Sequence, residues 1–177
     1  DNSSGFDILF SKNGLSFRFD KIIKESENKS ENNFENEKVN FTELINVNWI
    51  DANNDVEIIA EDMADNYFSY AIRKPFSKEV YNINHINGYK KLIYKNLYDN
   101  IDVVYELFDK GLKYKLLVHP GGDVSKVKLK YIKRNTNKES NSINNYIDSD
   151  GNYTINTSIG EIKELKPYSF YKNSEVE

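Results

Sequence analysis

Residues 101–118 alternate so regularly that a β-hairpin is the one local structure that suits them. Ile101, Val103, Tyr105 and Leu107 fall on one side of an extended chain, and Asp102, Val104, Glu106 and Phe108 fall on the other. That is the period of two imposed by a strand. Asp109-Lys110-Gly111 supplies a turn, with Gly111 able to take a positive φ at little steric cost. Residues 112–118 return the chain with Leu, Tyr and Val, which suit a pleated, half-buried surface. Pro120-Gly121 then stops the ladder, because proline has no N–H to give it.

The same grammar recurs along the chain. Residues 6–10 and 15–19 flank Ser11-Lys12-Asn13-Gly14, whose Asn-Gly pair favours a hairpin turn. Val47 and Trp49 lead to a turn at Asp51-Ala52-Asn53-Asn54, and Val56, Ile58 and Ala60 return. Tyr67, Phe68, Tyr70 and Ile72 form an aromatic segment that ends at Pro75, with short strands expected near 80–83 and 89–94. Further strands are expected at 127–132, 146–147, 153–157, 159–162 and 168–171. A polar loop covers 133–145, and Asp148-Ser149-Asp150-Gly151 makes a turn. No stretch carries a helical stripe, and no repeat has solenoid or propeller spacing. The pattern predicts an all-β fold: a single antiparallel, β-sandwich-like domain over residues 1–177, built of many short strands. Residues 24–38, reading KESENKSENNFENEK, hold one aromatic and predict a long, mobile polar loop.

Composition narrows the function classes. The chain's 177 residues suffice for one real core. Only 38% are hydrophobic, so the 13 Tyr and 10 Phe must supply much of the buried area. A net charge of −4 argues against a nucleic-acid partner. Lys126, Lys128 and Lys130 alternate with Val127, Leu129 and Tyr131, as the wet face of an edge strand does. The absence of cysteine excludes disulfides, thiolate metal sites and Cys nucleophiles. No apolar run reaches membrane-spanning length, so membrane insertion is not expected. The chain opens at Asp1 on a polar stretch without a signal peptide, as a mature N-terminus or an excised fragment would.

Candidate chemistry is sparse. Asp51, Asn53, Asp55 and Glu57 alternate, with Asp62 completing a superficial match to a calcium loop. Val56 stands where such a loop needs Gly, so a solvated turn is the simpler account. Asp148, Asp150 and Asn152 around Gly151 form a second oxygen-rich turn, and Asp99, Asn100 and Asp102 a third acidic cluster. Calcium is the one cofactor these turns suggest. His85 and His119 stand apart without zinc-ligand spacing. No nucleophile elbow, P-loop or dinucleotide fingerprint is present. Tyr67, Phe68, Tyr70, Tyr89, Tyr94, Tyr98 and Tyr105 could be core and rim of a small β-fold, or could stack on sugars or form an interface. Of these, Tyr67, Phe68, Tyr70, Tyr94 and Tyr98 are the binding candidates.

Several blocks resemble one family. They are Tyr94-Lys95-Asn96-Leu97-Tyr98, Ile101-Asp102-Val103, Gly111-Leu112-Lys113-Tyr114 and Val118-His119-Pro120-Gly121-Gly122-Asp123, followed by Val127-Lys128-Leu129-Lys130-Tyr131, Asp150-Gly151-Asn152, Gly160-Glu161-Ile162 and Lys166-Pro167-Tyr168. The family is the N-terminal β-domain of large bacterial surface proteins, placed ahead of SBBP-type β-propeller repeats, PKD-like modules and often a type IX secretion sorting domain. Residues 10–19, 47–61 and 66–68 match more loosely. Asp51 stands where the family usually has Gly, and its Glu-Asn-Lys-Gly-like opening is missing. The resemblance implies an extracellular or cell-surface setting and transfers no activity. The expected function is therefore a non-catalytic structural or assembly module, docking to neighbouring domains or to surface-assembly subunits, with self-assembly among the options. The alternatives are a carbohydrate- or host-ligand-binding adhesin module and a hydrolase of unknown class.

Overall fold

Lys12-Asn13 turn the chain as expected, joining β1 (Gly5–Ser11) to β2 (Gly14–Ile22), with Ser11 opposite Gly14. Gly14 is required there. Its φ is 144°, and a Cβ would stand 2.0 Å from the carbonyl oxygen of Val47 on β3 (Val39–Trp49). The computed structural model describes residues 5–22, 39–74, 79–108, 111–135, 138–139, 143–157, 160–171 and 174–175. The long polar loop expected at 24–38 lies outside these residues, as does the Asp109-Lys110 turn. After β3 come β4 (Glu57–Arg73), β5 (Val80–Tyr98), β6 (Ile101–Phe108) and β7 (Gly111–Val118). A 3-10 turn (Val124–Lys126) precedes β8 (Leu129–Asn135), β9 (Lys138–Glu139), β10 (Asn145–Ile147), β11 (Tyr153–Thr157), β12 (Gly160–Glu164), β13 (Phe170–Tyr171) and β14 (Ser174–Glu175). The chain is nearly all β, with several antiparallel sheets.

The chain divides into two compact units, one of residues 1–48 with 129–177 and one of residues 49–128. In the first, a five-stranded sheet of order β1-β2-β3-β8-β9 accompanies a three-stranded sheet β10-β11-β12 and the pair β13-β14. Phe19 and Ile45 of the larger sheet share a core with Ile155 of the smaller, flanked by Tyr131, Tyr153 and Ile162. Two sheet faces closing on one apolar layer make a sandwich. Glu43 is buried in this unit and takes Lys133 at 3.2 Å. The polar loop expected over 133–145 is partly strand, since β8 runs to Asn135 and β9 follows.

The second unit is one sheet of order β4-β5-β6-β7. Its centre is β6, where all of residues 101–105 are buried. Trp49 opens the unit and anchors it. Its Nε1 donates to Tyr105 Oη at 2.9 Å, and its ring stands edge-on to Tyr98 and Tyr114. Tyr94 meets Tyr105 edge-on at 5.4 Å. Such edge contacts each add roughly 0.5–1.5 kcal/mol beyond area burial.

The short strands expected at 80–83 and 89–94 are instead parts of one 19-residue strand, β5. Asn82, Asn84, Asn87 and Gly88 lower its local β-propensity, but its pairing with β4 runs from Arg73↔Val80 to Glu57↔Lys95. The irregular residues are absorbed as bulges, one of them at Asn84 and His85, where His85 takes φ 62°.

Tyr105→Phe is expected to leave the buried Trp49 N–H unpaired and to lower the unfolding free energy by about 1–3 kcal/mol. Denaturant unfolding followed by the fluorescence of this single Trp checks it. A loss below roughly 0.5 kcal/mol, the size of an ordinary surface substitution, would contradict the anchoring role.

Candidate functional site

Strand β5 outruns β6. Residues 91–98 of β5 pair with β6 on one side, whereas residues 80–89 pair with β4 alone. The distal halves of β4 and β5 therefore form a two-stranded arm. Residues directly opposite on paired strands share a face, and so do alternate residues along one strand. Phe68, Tyr70 and Ile72 lie opposite Ile86, Ile83 and Tyr81. All six therefore project from one face. Ile83 and Ile86 are three positions apart and would ordinarily point opposite ways; the bulge at Asn84 and His85 rephases them. Phe68 stacks beside Tyr70 and lies over Gly88, where a Cβ would meet its ring at 3.2 Å. The six side chains are 37–52% exposed. The opposite face is mixed. It carries Ser69, Asn82, Asn87 and Arg73, with Tyr67 stacked on His85 at 4.0 Å.

The end of β5 away from the arm, beside the β5–β6 turn, is held by a buried carboxylate. Between Tyr94↔Val103 and Tyr98↔Ile101, three residues of β5 (Lys95, Asn96 and Leu97) face the single residue Asp102. Such a bulge leaves backbone groups without ladder partners. Asp102, 1% exposed, fills the gap. Its Oδ1 accepts from the Asn96 N–H at 2.8 Å, and its Oδ2 accepts from Lys95 Nζ at 2.8 Å and His119 Nε2 at 3.1 Å. Burial alone would raise the pKa of Asp102, but these hydrogen bonds outweigh it and hold the value down to about 2. Asn53 completes the bulge from the other side. Its N–H donates to Leu97 O at 2.8 Å and its Nδ2 to Asn96 O at 3.3 Å.

The expected site residues separate accordingly. Tyr67, Phe68 and Tyr70 are exposed on the arm. Tyr94 and Tyr98 are instead buried, 0% and 6% exposed, because the sheet and Trp49 cover this end of β5. Burial pushes the Tyr94 phenol up to about 12 and raises that of Tyr98, whose hydroxyl donates to Ile50 O. Asp99, Asn100 and Asp102 do not act together. The first two form the exposed β5–β6 turn, and Asp102 points into the bulge. At the first oxygen-rich turn, Asp51 and Asp55 are exposed, and Asn53 Oδ1 accepts from the Asp55 N–H. At the second, Asp148 accepts from Lys163 Nζ at 2.7 Å, from the side chain and N–H of Asn152, and from the Asp150 N–H. The Lys163 ammonium, then the Asn152 donors, hold its carboxyl well below the usual range. Asn152 Oδ1 in turn accepts from the Lys166 N–H. A cation at this turn would have to displace Lys163. Among the described residues no three His, Asp or Glu side chains converge in metal-binding geometry.

An open cleft of about 900 Å³ lies beside the bulge, lined by Asp51, Asn53, Asn96, Asp99, Lys126 and Lys128 among others. Its lysines and carboxylates offset one another. No helix among the described residues is long and apolar enough to cross a membrane. A family model described as a domain of unknown function, DUF7948, matches residues 2–177. No curated protein and no solved structure matches the chain.

Because the folded pKa of Asp102 lies below its unfolded value, its contribution is complete above about pH 4 and is lost as pH falls through about 2. Asp102→Asn is expected to cost about 2 kcal/mol near neutral pH and to flatten stability over that acid window. Chemical denaturation across pH checks this. Identical acid limbs in the two chains would contradict it.

Proposed function

The chain belongs to the DUF7948 family, whose domains are of unknown function; from that premise we propose that it is a non-catalytic assembly module of a bacterial cell-surface or secreted protein. It docks on neighbouring domains or subunits through the apolar face of the β4–β5 arm. The observation that carries this is the arm itself. Six large apolar side chains share one face, each at least a third exposed. A two-stranded ribbon is marginally stable in water without a covering surface, and contiguous exposed apolar area marks an interaction site. The resemblance to the domain that precedes SBBP-type repeats, PKD-like modules and type IX sorting domains supports the extracellular setting and supplies candidate neighbours. Supporting a non-catalytic role, the carboxylate–histidine pair of buried Asp102 and half-exposed His119 is committed to closing a bulge.

The exposed rings also favour a second reading, a carbohydrate-binding module, because sugars stack on aromatic faces. One experiment separates the two. A photo-crosslinking residue replaces Tyr70 in the full gene product on intact cells, with the same label at exposed Asp150 as control. Crosslinks to a defined protein segment of the parent or of a surface subunit are expected at position 70 alone. Glycan adducts would favour the second reading, and labelling no stronger than the control would sink both.

A further inference from the structure

The chain holds two Asn-Gly pairs, Asn13-Gly14 and Asn87-Gly88. Such a pair carries a reaction of its own. The backbone nitrogen of Gly, its proton withdrawn by hydroxide, attacks the side-chain carbonyl carbon of Asn. A C–N bond forms, the side-chain amide leaves as ammonia, and a cyclic succinimide remains. Water then opens either carbonyl of the ring. The products are Asp and isoaspartate, in which the backbone runs through the former side chain. In sum, Asn and water become Asp or isoaspartate and ammonia, with no oxidant, reductant or other co-reactant. Gly allows the ring to close because it has no Cβ in the way and the widest backbone freedom.

A paired strand or a closed turn keeps the two reacting atoms apart, so the reaction proceeds from locally opened chain. The two pairs differ in how they are held. Both Asn side chains are exposed, but Gly14 is buried. It lies in a five-stranded sheet, where β2 has β1 on one side and β3 on the other. Ser11 stands opposite Gly14, and its hydroxyl donates to Gly14 O at 3.3 Å. Gly14 also sits hard against Val47 O, which a Cβ would meet at 2.0 Å. Gly88 is only half-buried and lies on the arm, where β5 has β4 alone for a neighbour. Tyr67↔Asn87 and Met63↔Tyr89 are successive register pairs, so Gly88 has no register partner and stands opposite the bulge of residues 64–66. A two-stranded ribbon is marginally stable, and a bulge disrupts its ladder further. The pair on the arm is therefore the one whose chain opens readily.

We propose that Asn87-Gly88 is a site of spontaneous deamidation, reacting in the folded chain in preference to Asn13-Gly14. The reaction needs no partner and does not depend on what the arm docks on. Both products alter the arm. Aspartate at position 87 puts a carboxylate into residues 80–89, a stretch of β5 without Asp, Glu, Lys or Arg. Isoaspartate adds a methylene to the backbone beside Gly88. Faces are set by strict alternation, so that addition disturbs the side on which Ile83 and Ile86 emerge. Ammonia escapes to solvent, and altered chains accumulate with time.

The test incubates the purified full chain in mildly alkaline buffer. Peptide mass spectrometry follows amide-to-acid conversion at both pairs, and electron-transfer fragmentation separates Asp from isoaspartate. Position 87 is expected to convert roughly tenfold faster than position 13, the ratio that about 1.4 kcal/mol of difference in local opening produces. In guanidinium the unfolded chain should convert the two at comparable rates, because the fold no longer distinguishes them. Asn87→Gln should abolish conversion at position 87, since its longer side chain closes the corresponding ring far more slowly, and should leave position 13 unchanged. An intact Asn87 in the folded chain, equal rates at the two pairs there, or the same preference for position 87 in the unfolded chain would overturn the proposal.

Discussion

A strand is covered only as far as its neighbours reach, and β5 reaches well past β6. The two are 19 and 8 residues long, so half of β5 has a single partner. On the covered side, backbone and side chains are absorbed into a sheet whose middle strand is buried on both faces. On the uncovered side, the same alphabet of Tyr, Phe and Ile is left facing water. Apolar surface of that extent is what association removes. The mismatch in length therefore links the fold to the proposed docking role more directly than any single side chain does.

The covered half of β5 is fixed in two ways. Trp49, Tyr98, Tyr105 and Tyr114 lock one face of the sheet, with the indole N–H satisfied by a phenol. Three residues of β5 then bulge against Asp102, and the carboxylate supplies the acceptors that the ladder cannot. A buried charge is tolerable only where donors converge on it, and Lys95, Asn96 and His119 provide them. The same bulge gives Asn96 a φ of 48°, a left-handed conformation that Asn accepts more readily than most residues. The acid-sensitive part of the unit's stability thus resides at the covered end of β5, away from the arm.

Much of this is legible in the sequence, and the rest is not for definite reasons. Period-two alternation identifies β6 and β7, and Asn13-Gly14 identifies the first hairpin, because turn and pleat chemistry are local. The length of β5 is hidden: Asn82, Asn84, Asn87 and Gly88 look like interruptions, while the pairing that overrides them comes from β4, some twenty residues upstream. The fates of the tyrosines are equally non-local. Tyr94 is buried and Tyr81 is half exposed, and the difference is whether a third strand lies alongside. Asp102 did carry a signal. It is the one carboxylate in a run of five otherwise apolar residues, and such a residue must have partners, but alternation places it only on the side of Val104, Glu106 and Phe108 and names none of them. The division into two units is likewise invisible locally, since the first unit is assembled from both ends of the chain.

What emerges is a β-module that keeps its chemistry for its own interior and offers a shaped apolar face outward. The acidic turns serve local geometry: Asn53 ties down the bulge, and Asp148 gathers donors from its own turn and from Lys163. The central claim is that no other strand of its own sheet covers the distal halves of β4 and β5. Amide hydrogen exchange along β5 tests it most directly. In dilute chain, amides of residues 91–98 should exchange slowly and those of residues 80–89 fast, the latter slowing as an assembly forms over them. Equal, strong protection of both halves in the dilute chain would contradict the account, because the arm would then already be covered from within.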